Sequence, residues 1–333
     1  ERSGLQPVEP GIVIDRVGSP TPKHDTLVSR FQKVGGWFQE VYRGYRDADV
    51  AVVSAHAVWA LPLAWALAKR AKVPLVYNPH ELETRTPTMT GVKKTLAEQV
   101  EARFIRRCQV VTAVNDEIAD WYAGHYRIAR PLVVVNYPAE VTRGRPARDL
   151  RGELGLRDDE VLFVHTGHLT EGRNIPLILE EFAAGARHHV LFVGAGDMQS
   201  LVDEAAARSP FIHRMDPVPP DEVVSVVAGA DMSLALIEIL SQSYAWGSPN
   251  KLFEALAAGV PVLASDVPEV RRRLGPLAGE LILSSPKDQL RGFLARLDRP
   301  MALSYREHLT PLPTWEEGVE PLVETYRALL QGG

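Results

Sequence analysis

The sequence is nearly devoid of cysteine and carries no excess of positive charge. Cys108 is the only cysteine among 333 residues, which excludes an intrachain disulfide and a cysteine-rich zinc site within this sequence. The 37 lysines and arginines are outnumbered by 42 aspartates and glutamates, giving a net charge of −5. A dedicated nucleic-acid-binding protein is therefore not expected. A reducing compartment fits the single thiol best, and we expect a cytoplasmic protein.

Long hydrophobic runs are also missing, apart from a stretch over residues 51–68 that contains no Asp, Glu, Lys or Arg. Its 18 residues approach the lower limit for a membrane span, but His56 and Pro62 interrupt it. We therefore predict a strand followed by a buried helix. The chain begins with neither methionine nor a basic-then-apolar signal, and we expect its natural start to lie upstream of Glu1.

What the sequence does contain is a repeated alternation of short apolar runs with segments of helical spacing. Apolar residues make up 45% of the chain, and 333 residues suffice for about two domains of roughly 100–200 residues each. Runs that are apolar throughout and are separated by helices indicate parallel strands covered on both faces. Such runs occur at 12–14, 50–54, 74–77, 110–114 and 132–135, and again at 161–164, 190–193, 211–213, 233–236, 260–263 and 281–283.

The alternation stops between Asn136 and Asp159, where residues 142–149 are polar and basic. We interpret this break as a linker between two α/β domains. The predicted organisation is an N-terminal domain over 1–140, a linker over 141–158, a C-terminal domain over 159–310 and a final segment over 311–333 that contains an amphipathic helix.

Residues 248–262, which read Ser-Pro-Asn-Lys-Leu-Phe-Glu-Ala-Leu-Ala-Ala-Gly-Val-Pro-Val, predict one helix followed by a strand. Ser248 is expected to cap the helix, whose first turn contains Pro249, and Gly259 is expected to end it. Lys251 and Glu254 are i,i+3 neighbours on its polar side. Spacing alone is equally consistent with an ordinary surface ion pair between them.

This segment resembles the nucleotide-sugar signature of retaining family 4 glycosyltransferases, in the subgroup that reads Ser-Tyr…Pro-Asn-Lys-Leu-Phe-Glu. Ser243 and Tyr244 stand at the matching upstream place. The resemblance implies that Glu254 holds the ribose hydroxyls of a donor nucleotide, since two carboxylate oxygens can accept from a diol. It also implies that Asn250 and Lys251 belong to the donor site, and the helix N-terminus near Asn250 favours an anionic ligand.

A second match covers residues 164–175, Val-His-Thr-Gly-His-Leu-Thr-Glu-Gly-Arg-Asn-Ile, where a strand ends in a glycine turn. Loops at the carboxyl ends of parallel strands form the ligand-binding edge of open α/β sheets. In similar transferases this loop holds the diphosphate, which implies donor contacts for Gly167, His168 and Arg173. Arg173 suits a bidentate grip on phosphate, whereas His168 could donate one hydrogen bond or only pack. Gly194 lies in a turn, Val-Gly-Ala-Gly-Asp, that resembles the one approaching the nucleotide.

A third match, residues 77–84 (Tyr-Asn-Pro-His-Glu-Leu-Glu-Thr), is similar to a segment of the acceptor domain in the same subgroup. It implies that His80 faces the donor sugar, so that His80 and Arg173 are the candidate catalytic residues. Glu81, and His56 at the end of the preceding strand, are candidates for the acceptor side.

The sequence contains no pattern for metal binding and one basic helix that bears on membrane binding. No cluster of histidines and carboxylates has metal-ligand spacing, so we predict no metal, and no cofactor besides the nucleotide sugar that serves as substrate. The helix predicted over residues 90–108 carries several basic residues, which ordinarily indicates a solvated face. Some relatives dock to anionic membranes through such a helix, and this would place the protein at the inner face of the membrane.

The resemblance covers residues 48–330 and implies the GT-B fold. Two Rossmann-like α/β domains with parallel sheets would face each other across a cleft, with the C-terminal helix crossing back to the N-terminal domain. The expected function is a retaining glycosyltransferase that moves a sugar from a nucleotide-diphosphate-sugar to a hydroxyl acceptor, which could be a glycan, a lipid-linked compound or a natural product. The oligomeric state stays open.

Two alternatives to this function remain. One is a sugar-nucleotide epimerase on the same fold, which needs no acceptor. The other is a non-catalytic nucleotide-sugar binder, because His168 and Trp246 stand where the family has charged groups.

Overall fold

The computed structural model describes residues 5–9, 11–17, 27–185 and 188–331. Contacts divide the chain into two compact units. Unit 1 comprises Glu1–Pro79, Gly91–Val111 and Tyr326–Gly333, and unit 2 comprises His80–Thr90 and Thr112–Thr325.

Unit 1 is built around short parallel strands. Its elements in chain order are β1 (Leu5–Glu9), β2 (Ile12–Asp15), α1 (Leu27–Tyr45), β3 (Val53–Ala55), α2 (Leu61–Ala71), β4 (Leu75–Tyr77), α3 (Gly91–Phe104) and β5 (Val110–Ala113), the last two residues of which belong to unit 2. Strand β4 lies between β3 and β5 and pairs in parallel with both. All three residues of β4 are buried, as expected for a strand covered on both faces.

The structure corrects one expectation and confirms another in this unit. The apolar run 12–14 is not a buried parallel strand, because β2 forms an antiparallel hairpin with β1 and its three apolar side chains are 38–56% exposed. A run of three residues is too short for periodicity to separate these two cases. The stretch 51–68 does form a strand and a helix, β3 and α2. Within the described ranges no helix is both long and apolar enough to cross a membrane.

Helix α3, with the 3-10 turn Ile105–Arg107 that follows it, occupies most of the predicted basic helix over 90–108. Lys93, Arg103 and Arg106 are exposed, and so are the apolar side chains of Val92 and Leu96. Membrane contact through this helix stays a prediction.

Unit 2 carries the remaining elements, except that the last residues of the final helix, from Tyr326 onward, belong to unit 1. They are α4 (Asp116–Tyr126), β6 (Leu132–Val133), α5 (Glu140–Arg143), α6 (Leu150–Leu154), β7 (Val161–Thr166), α7 (Ile175–Gly185), β8 (His188–Val193), α8 (Gln199–Arg208), β9 (Ile212–Met215), α9 (Val223–Ala228), β10 (Met232–Ala235), α10 (Gln242–Ala245), α11 (Asn250–Ala257), β11 (Val262–Ser265), α12 (Pro268–Leu274), α13 (Ala278–Leu281), β12 (Ile282–Leu283), α14 (Pro286–Arg296), α15 (Arg299–Ser304) and α16 (Trp315–Gln331). Helices α5 and α6 lie in the segment predicted as the linker.

The main sheet of unit 2 is parallel and has the strand order β12-β11-β10-β7-β8-β9. Every residue of β7 and β8 is buried. The chain starts in the middle of the sheet at β7, runs to one edge, and then returns to β10 to run to the other edge. Ligands of such sheets bind at the carboxyl ends of the strands, where the order reverses. The prediction of Rossmann-like α/β domains with parallel sheets is confirmed.

A buried charged cluster fixes the opposite, amino-terminal edge of this sheet. Asp231, directly before β10, is 3% exposed and accepts hydrogen bonds from the backbone N–H of Leu162 in β7, at 2.8 Å, and from two arginines. Arg151 of α6 donates at 2.7 Å and Arg299 of α15 at 3.0 Å. One carboxylate therefore ties two surrounding helices to the centre of the sheet.

Candidate functional site

Two glycine turns interlock at the carboxyl ends of β7 and β8. The N–H of Gly167 donates to the carbonyl of Val193 at 2.9 Å, and the N–H of Leu169 donates to Ala195 at 3.0 Å. A Cβ atom on Gly194 would lie only 2.0 Å from the carbonyl oxygen of Gly167. Glycine is thus required for the two backbones to approach this closely. The sequence-predicted residues Gly167 and Gly194 are in direct contact.

A cavity of about 210 Å³ opens beside these turns. It is smaller than the pockets of about 300–1,000 Å³ that enclose a whole drug-sized ligand, and therefore suits one part of a larger molecule. Its lining combines apolar side chains, the glycine backbones and a few polar groups. The apolar side chains are Val193, Ala195, Pro217, Val218 and Val223, and the polar ones are Thr166, His168 and Glu254.

The polar residues of α11 reach across to β7. Thr166 at the end of β7 donates its hydroxyl to Glu254 at 3.0 Å, and the Lys251 ammonium lies 3.1 Å from Nε2 of His165. His165 is completely buried. The alternative of an ordinary surface ion pair is therefore wrong for Lys251 and Glu254, since each side chain has its hydrogen-bond partner on the central strand.

Burial controls the protonation of these groups. It raises the pKa of the Glu254 carboxyl, against the opposing effects of the Thr166 hydrogen bond and the Lys251 charge. Burial and the nearby Arg173 charge lower the pKa of Lys251 to about 7, with Glu254 acting in the opposite direction. Burial, then Lys251, lowers the pKa of His165 well below its usual value, which keeps the ring neutral.

Arg173 lies in the loop after β7, next to the strand-order reversal. Its guanidinium carbon lies 5.2 Å from the centre of the Tyr244 ring, a cation–π contact. The carbonyl of Gly172 accepts from the N–H of Glu238 at 2.9 Å, which joins the loop after β7 to the loop after β10. Both loops therefore hold Arg173 at the edge where a ligand is expected.

The N-terminus of α11 is built differently from the prediction. Ser248 does not cap the helix, since the helix begins at Asn250 with Pro249 at the cap position, and the buried Ser248 hydroxyl has no hydrogen-bond partner among the described residues. The Asn250 carboxamide instead accepts from Asn136 at 3.1 Å. Proline before the first turn leaves the serine outside the helix. The N–H groups of the first turn remain oriented outward, as at any helix N-terminus.

The segment 80–90 belongs to unit 2 and packs beside α10. The hydroxyl of the buried Ser243 donates to Glu81 at 3.0 Å, and His80 is exposed next to it. The carbonyl of Trp246 accepts from Asn115 at 2.7 Å. Glu81, which was expected on the acceptor side, thus accepts a hydrogen bond from Ser243, which was expected on the donor side.

His56 lies in unit 1, directly after β3, within hydrogen-bond distance of Ser54 and Asn78. His168 is exposed and lines the cavity, and none of the described residues forms an ion pair with it.

Sequence reasoning missed several groups of this site. His165 and Thr166 lie inside the motif 164–175, which assigns them no role, although a polar pair at the end of an otherwise apolar strand is a usable signal. Pro217, Val218 and Val223 reach the cavity from the loop after β9 and from α9. No local pattern marks them, because their contribution depends on the sheet order. Within the described residues, no group of three or more His, Cys, Asp or Glu side chains is arranged to hold a metal.

Two family models match the chain. Residues 3–142 match the model described as Glycosyltransferase Family 4, and residues 160–299 match the model described as Glycosyl transferases group 1. Together they span more than four fifths of the sequence. No curated protein sequence matches the chain significantly.

Solved structures resemble this fold at low sequence identity. Sucrose-phosphate synthase from Thermosynechococcus elongatus has a TM-score of 0.76 at 16% identity, over 99% of this chain and 86% of that one. HepE from Anabaena, solved with UDP-glucose, has a TM-score of 0.66 at 13% identity, over 88% and 82% of the two chains. The pneumococcal O-GlcNAc transferase GtfA, solved with UDP and GlcNAc, has a TM-score of 0.58 at 14% identity, over 89% and 60%. The predicted GT-B fold is confirmed.

Proposed function

We propose that this chain, which is a glycosyltransferase of the family 4 type with the GT-B fold, takes its sugar from a nucleoside diphosphate sugar and retains the configuration of the anomeric carbon. The observation that carries the donor assignment is Glu254, a carboxylate at the rim of a cavity sized for part of a ligand. Two of the similar structures were solved with UDP or a UDP-sugar, which supports the same class of donor.

In this proposal the nucleoside occupies the cavity and Glu254 accepts from both ribose hydroxyls. The hydrogen bond from Thr166 fixes the carboxylate in place before the ligand arrives. The apolar walls leave the base to be recognised by packing and by the backbone of the glycine turns. Gly194 matters here because any side chain at its position would push the turns apart.

The diphosphate then meets a concentration of positive charge. Arg173, Lys251 and the N-terminus of α11 at Asn250 all lie around the carboxyl end of β7. Charge develops on the diphosphate as the sugar departs, and fixed cations and helix N–H groups stabilise that charge. We assign to His168, which lines the cavity, one further hydrogen bond to the donor.

The transfer step we propose is a same-face displacement. The bond between the anomeric carbon and the diphosphate oxygen breaks, and a bond from the acceptor hydroxyl oxygen forms on the same face. The hydroxyl proton passes to the departing diphosphate oxygen, so no protein nucleophile is required. His80 is assigned to positioning the donor sugar, and His56 and Glu81 to the acceptor side. Ser243 and Tyr244 support this arrangement through Glu81 and Arg173.

Nucleotide binding tests the donor site directly. Thermal unfolding is measured with UDP, GDP, ADP, dTDP and CDP, for the wild type and for Glu254→Ala. A ligand at a hundredfold excess over its dissociation constant stabilises the folded protein by about 2.7 kcal/mol. We expect one nucleotide to stabilise the wild type, and the stabilisation to be lost in Glu254→Ala.

A matched control is Glu280→Ala. Glu280 accepts from the Tyr305 hydroxyl at 2.9 Å, much as Glu254 accepts from Thr166, but it does not line the cavity. The control should keep the nucleotide response. Equal responses of Glu254→Ala and the wild type would refute the donor-site assignment.

Product analysis tests the reaction itself. Nuclear magnetic resonance of the product identifies the anomeric configuration, and a product inverted relative to the donor would contradict retention. Conversion of the sugar nucleotide without any acceptor would favour the epimerase alternative instead.

A further inference from the structure

We infer that His165 is a positioning residue of the donor site, which holds Lys251 beneath the Gly167 turn so that Lys251 takes up a proton when a diphosphate binds. This inference rests on the proposed function, because it requires a nucleoside diphosphate at the same edge of the sheet. It assigns a role to a histidine that the sequence motifs do not single out, and it makes donor affinity depend on pH.

The geometry starts from a buried histidine at the end of a central strand. His165 is the second-last residue of β7, is 0% exposed, and its ring packs 5.3 Å from the Phe192 ring. Its Nε2 atom lies 3.1 Å from the Lys251 ammonium. A neutral imidazole can accept one hydrogen bond, and an ammonium can only donate. When Lys251 is charged, His165 therefore accepts from it and fixes the direction of the lysine side chain.

Lys251 is held close to the turn that the donor would approach. A Cβ atom on Gly167 would lie 3.7 Å from the Cε atom of Lys251, so the lysine stem passes directly under this turn. The ammonium has two further N–H groups besides the one donated to His165. These remain available for phosphate oxygens above the turn.

The charges around Lys251 favour its neutral form while the site is free of ligand. Arg173 on the loop after β7 repels the ammonium, and burial adds to this effect, whereas Glu254 on α11 opposes both. His165 contributes no positive charge because burial keeps it neutral. The pKa of Lys251 is thereby lowered to about 7, so the lysine loses its proton near neutral pH and not far above it.

The remaining elements packed against α11 do not change this balance. Helix α9 and strands β10 and β11 contact α11 and contain no titratable side chain. Arg273 of α12 reaches α11 at the Phe253 ring, where Glu269 neutralises it at 2.7 Å. The local field on Lys251 thus comes from Arg173 and Glu254.

A bound diphosphate reverses that field. Negative charge within about 4–6 Å stabilises the ammonium and raises the pKa of Lys251, so binding is accompanied by proton uptake. The negative charge also offsets the repulsion between Arg173 and the charged Lys251. Affinity should decrease as the pH rises above about 7, because a growing fraction of free protein must first gain a proton.

The experiment is isothermal titration calorimetry with the nucleoside diphosphate selected from UDP, GDP, ADP, dTDP and CDP, at pH 6.5, 7.5 and 8.5. The variant Lys251→Arg is the control, since arginine stays charged and the nucleotide's own titration is identical in both titrations. The ratio of wild-type to variant affinity should decrease by about 25-fold from pH 6.5 to pH 8.5, for a lysine with a pKa of about 7. At pH 8, buffers of different ionisation enthalpy should reveal about 0.9 proton more taken up by the wild type than by the variant.

Two histidine variants test the positioning role. His165→Leu removes the acceptor, and we expect about tenfold weaker nucleotide binding together with a loss of the proton uptake. His165→Gln keeps an acceptor oxygen and should restore both. A merely structural role of His165 would alter the melting temperature without changing the number of protons taken up.

The outcomes separate the two proposals. Nucleotide binding with the same pH dependence in the wild type and Lys251→Arg overturns the proton uptake and leaves the donor site intact. Unchanged affinity and proton uptake in His165→Leu overturns the positioning role. Failure of every nucleotide to bind the wild type at pH 6.5, where Lys251 is mostly charged, overturns the proposed function together with this inference.

Discussion

Replacing Gly194 by alanine should damage both the stability of unit 2 and its donor site. The new Cβ atom would lie 2.0 Å from the carbonyl oxygen of Gly167, and nonbonded carbon and oxygen atoms do not approach closer than about 3.0 Å. The two glycine turns must therefore separate by at least about 1 Å. That separation breaks or weakens the hydrogen bond from Gly167 to Val193.

The magnitude follows from two costs. Overpacking in a tight region costs about 1–3 kcal/mol. The backbone φ of Gly194 is +153°, a conformation that side chains rarely adopt, and holding alanine there costs about another 1–3 kcal/mol. We therefore expect Gly194→Ala to lower the free energy of unfolding by about 2–6 kcal/mol.

Two other glycines separate these costs. Gly259 has φ +66° with open space around it, so Gly259→Ala reports backbone strain alone, about 1–2 kcal/mol. Gly292 lies inside α14 with open space around it, so Gly292→Ala should stabilise the protein by about 0.5–1 kcal/mol.

The assay is urea unfolding followed by circular dichroism, with nucleotide affinity measured on the folded fraction. Gly194→Ala should bind nucleotide more weakly, whereas the other two variants should bind as the wild type does. The reasoning is refuted if the free energies of unfolding of Gly194→Ala and Gly259→Ala agree within about 0.5 kcal/mol and Gly194→Ala binds nucleotide with unchanged affinity.

Two further predictions concern stability. Asp231→Ala should lower the free energy of unfolding by about 3–5 kcal/mol, because it leaves two arginines without their buried partner. The control Asp266→Ala removes a more exposed partner of Arg271 and should lower it by less than about 1 kcal/mol. Equal urea midpoints of the two variants would contradict this prediction. Burial and then His189 lower the pKa of His213. Its stabilisation is therefore full above the unfolded pKa of about 6.5 and is lost as the pH falls through the lower folded value. Between pH 7 and pH 5 the wild type should lose more stability than His213→Gln, and parallel decreases would exclude His213 as the cause.

Several features followed from local sequence because their physical causes are local. Apolar runs such as β7 and β8 must be buried on both faces, and this predicted parallel sheets covered by helices. The glycines at 167 and 194 marked turns at strand ends, since only glycine allows these backbone conformations and close approaches.

Short or isolated patterns did not carry enough information. The run 12–14 predicted a buried strand but forms an exposed hairpin, because three apolar residues fit either environment. Ser248 carried a capping signal, yet Pro249 takes the cap position and moves the helix start to Asn250. Competing local preferences of neighbouring residues decide such boundaries, and a single residue type does not.

The partners of the reactive groups were decided only by the tertiary structure. Spacing placed Lys251 beside Glu254, and either an ion pair or a ligand site was consistent with it. In the folded protein β7 lies next to β10, which brings His165 and Thr166 under α11 although they are more than 80 residues away in sequence. Sequence determines which side chains are present and which turns they permit. The order of strands in the sheet determines which of them are buried together, and burial sets the charge that each one carries.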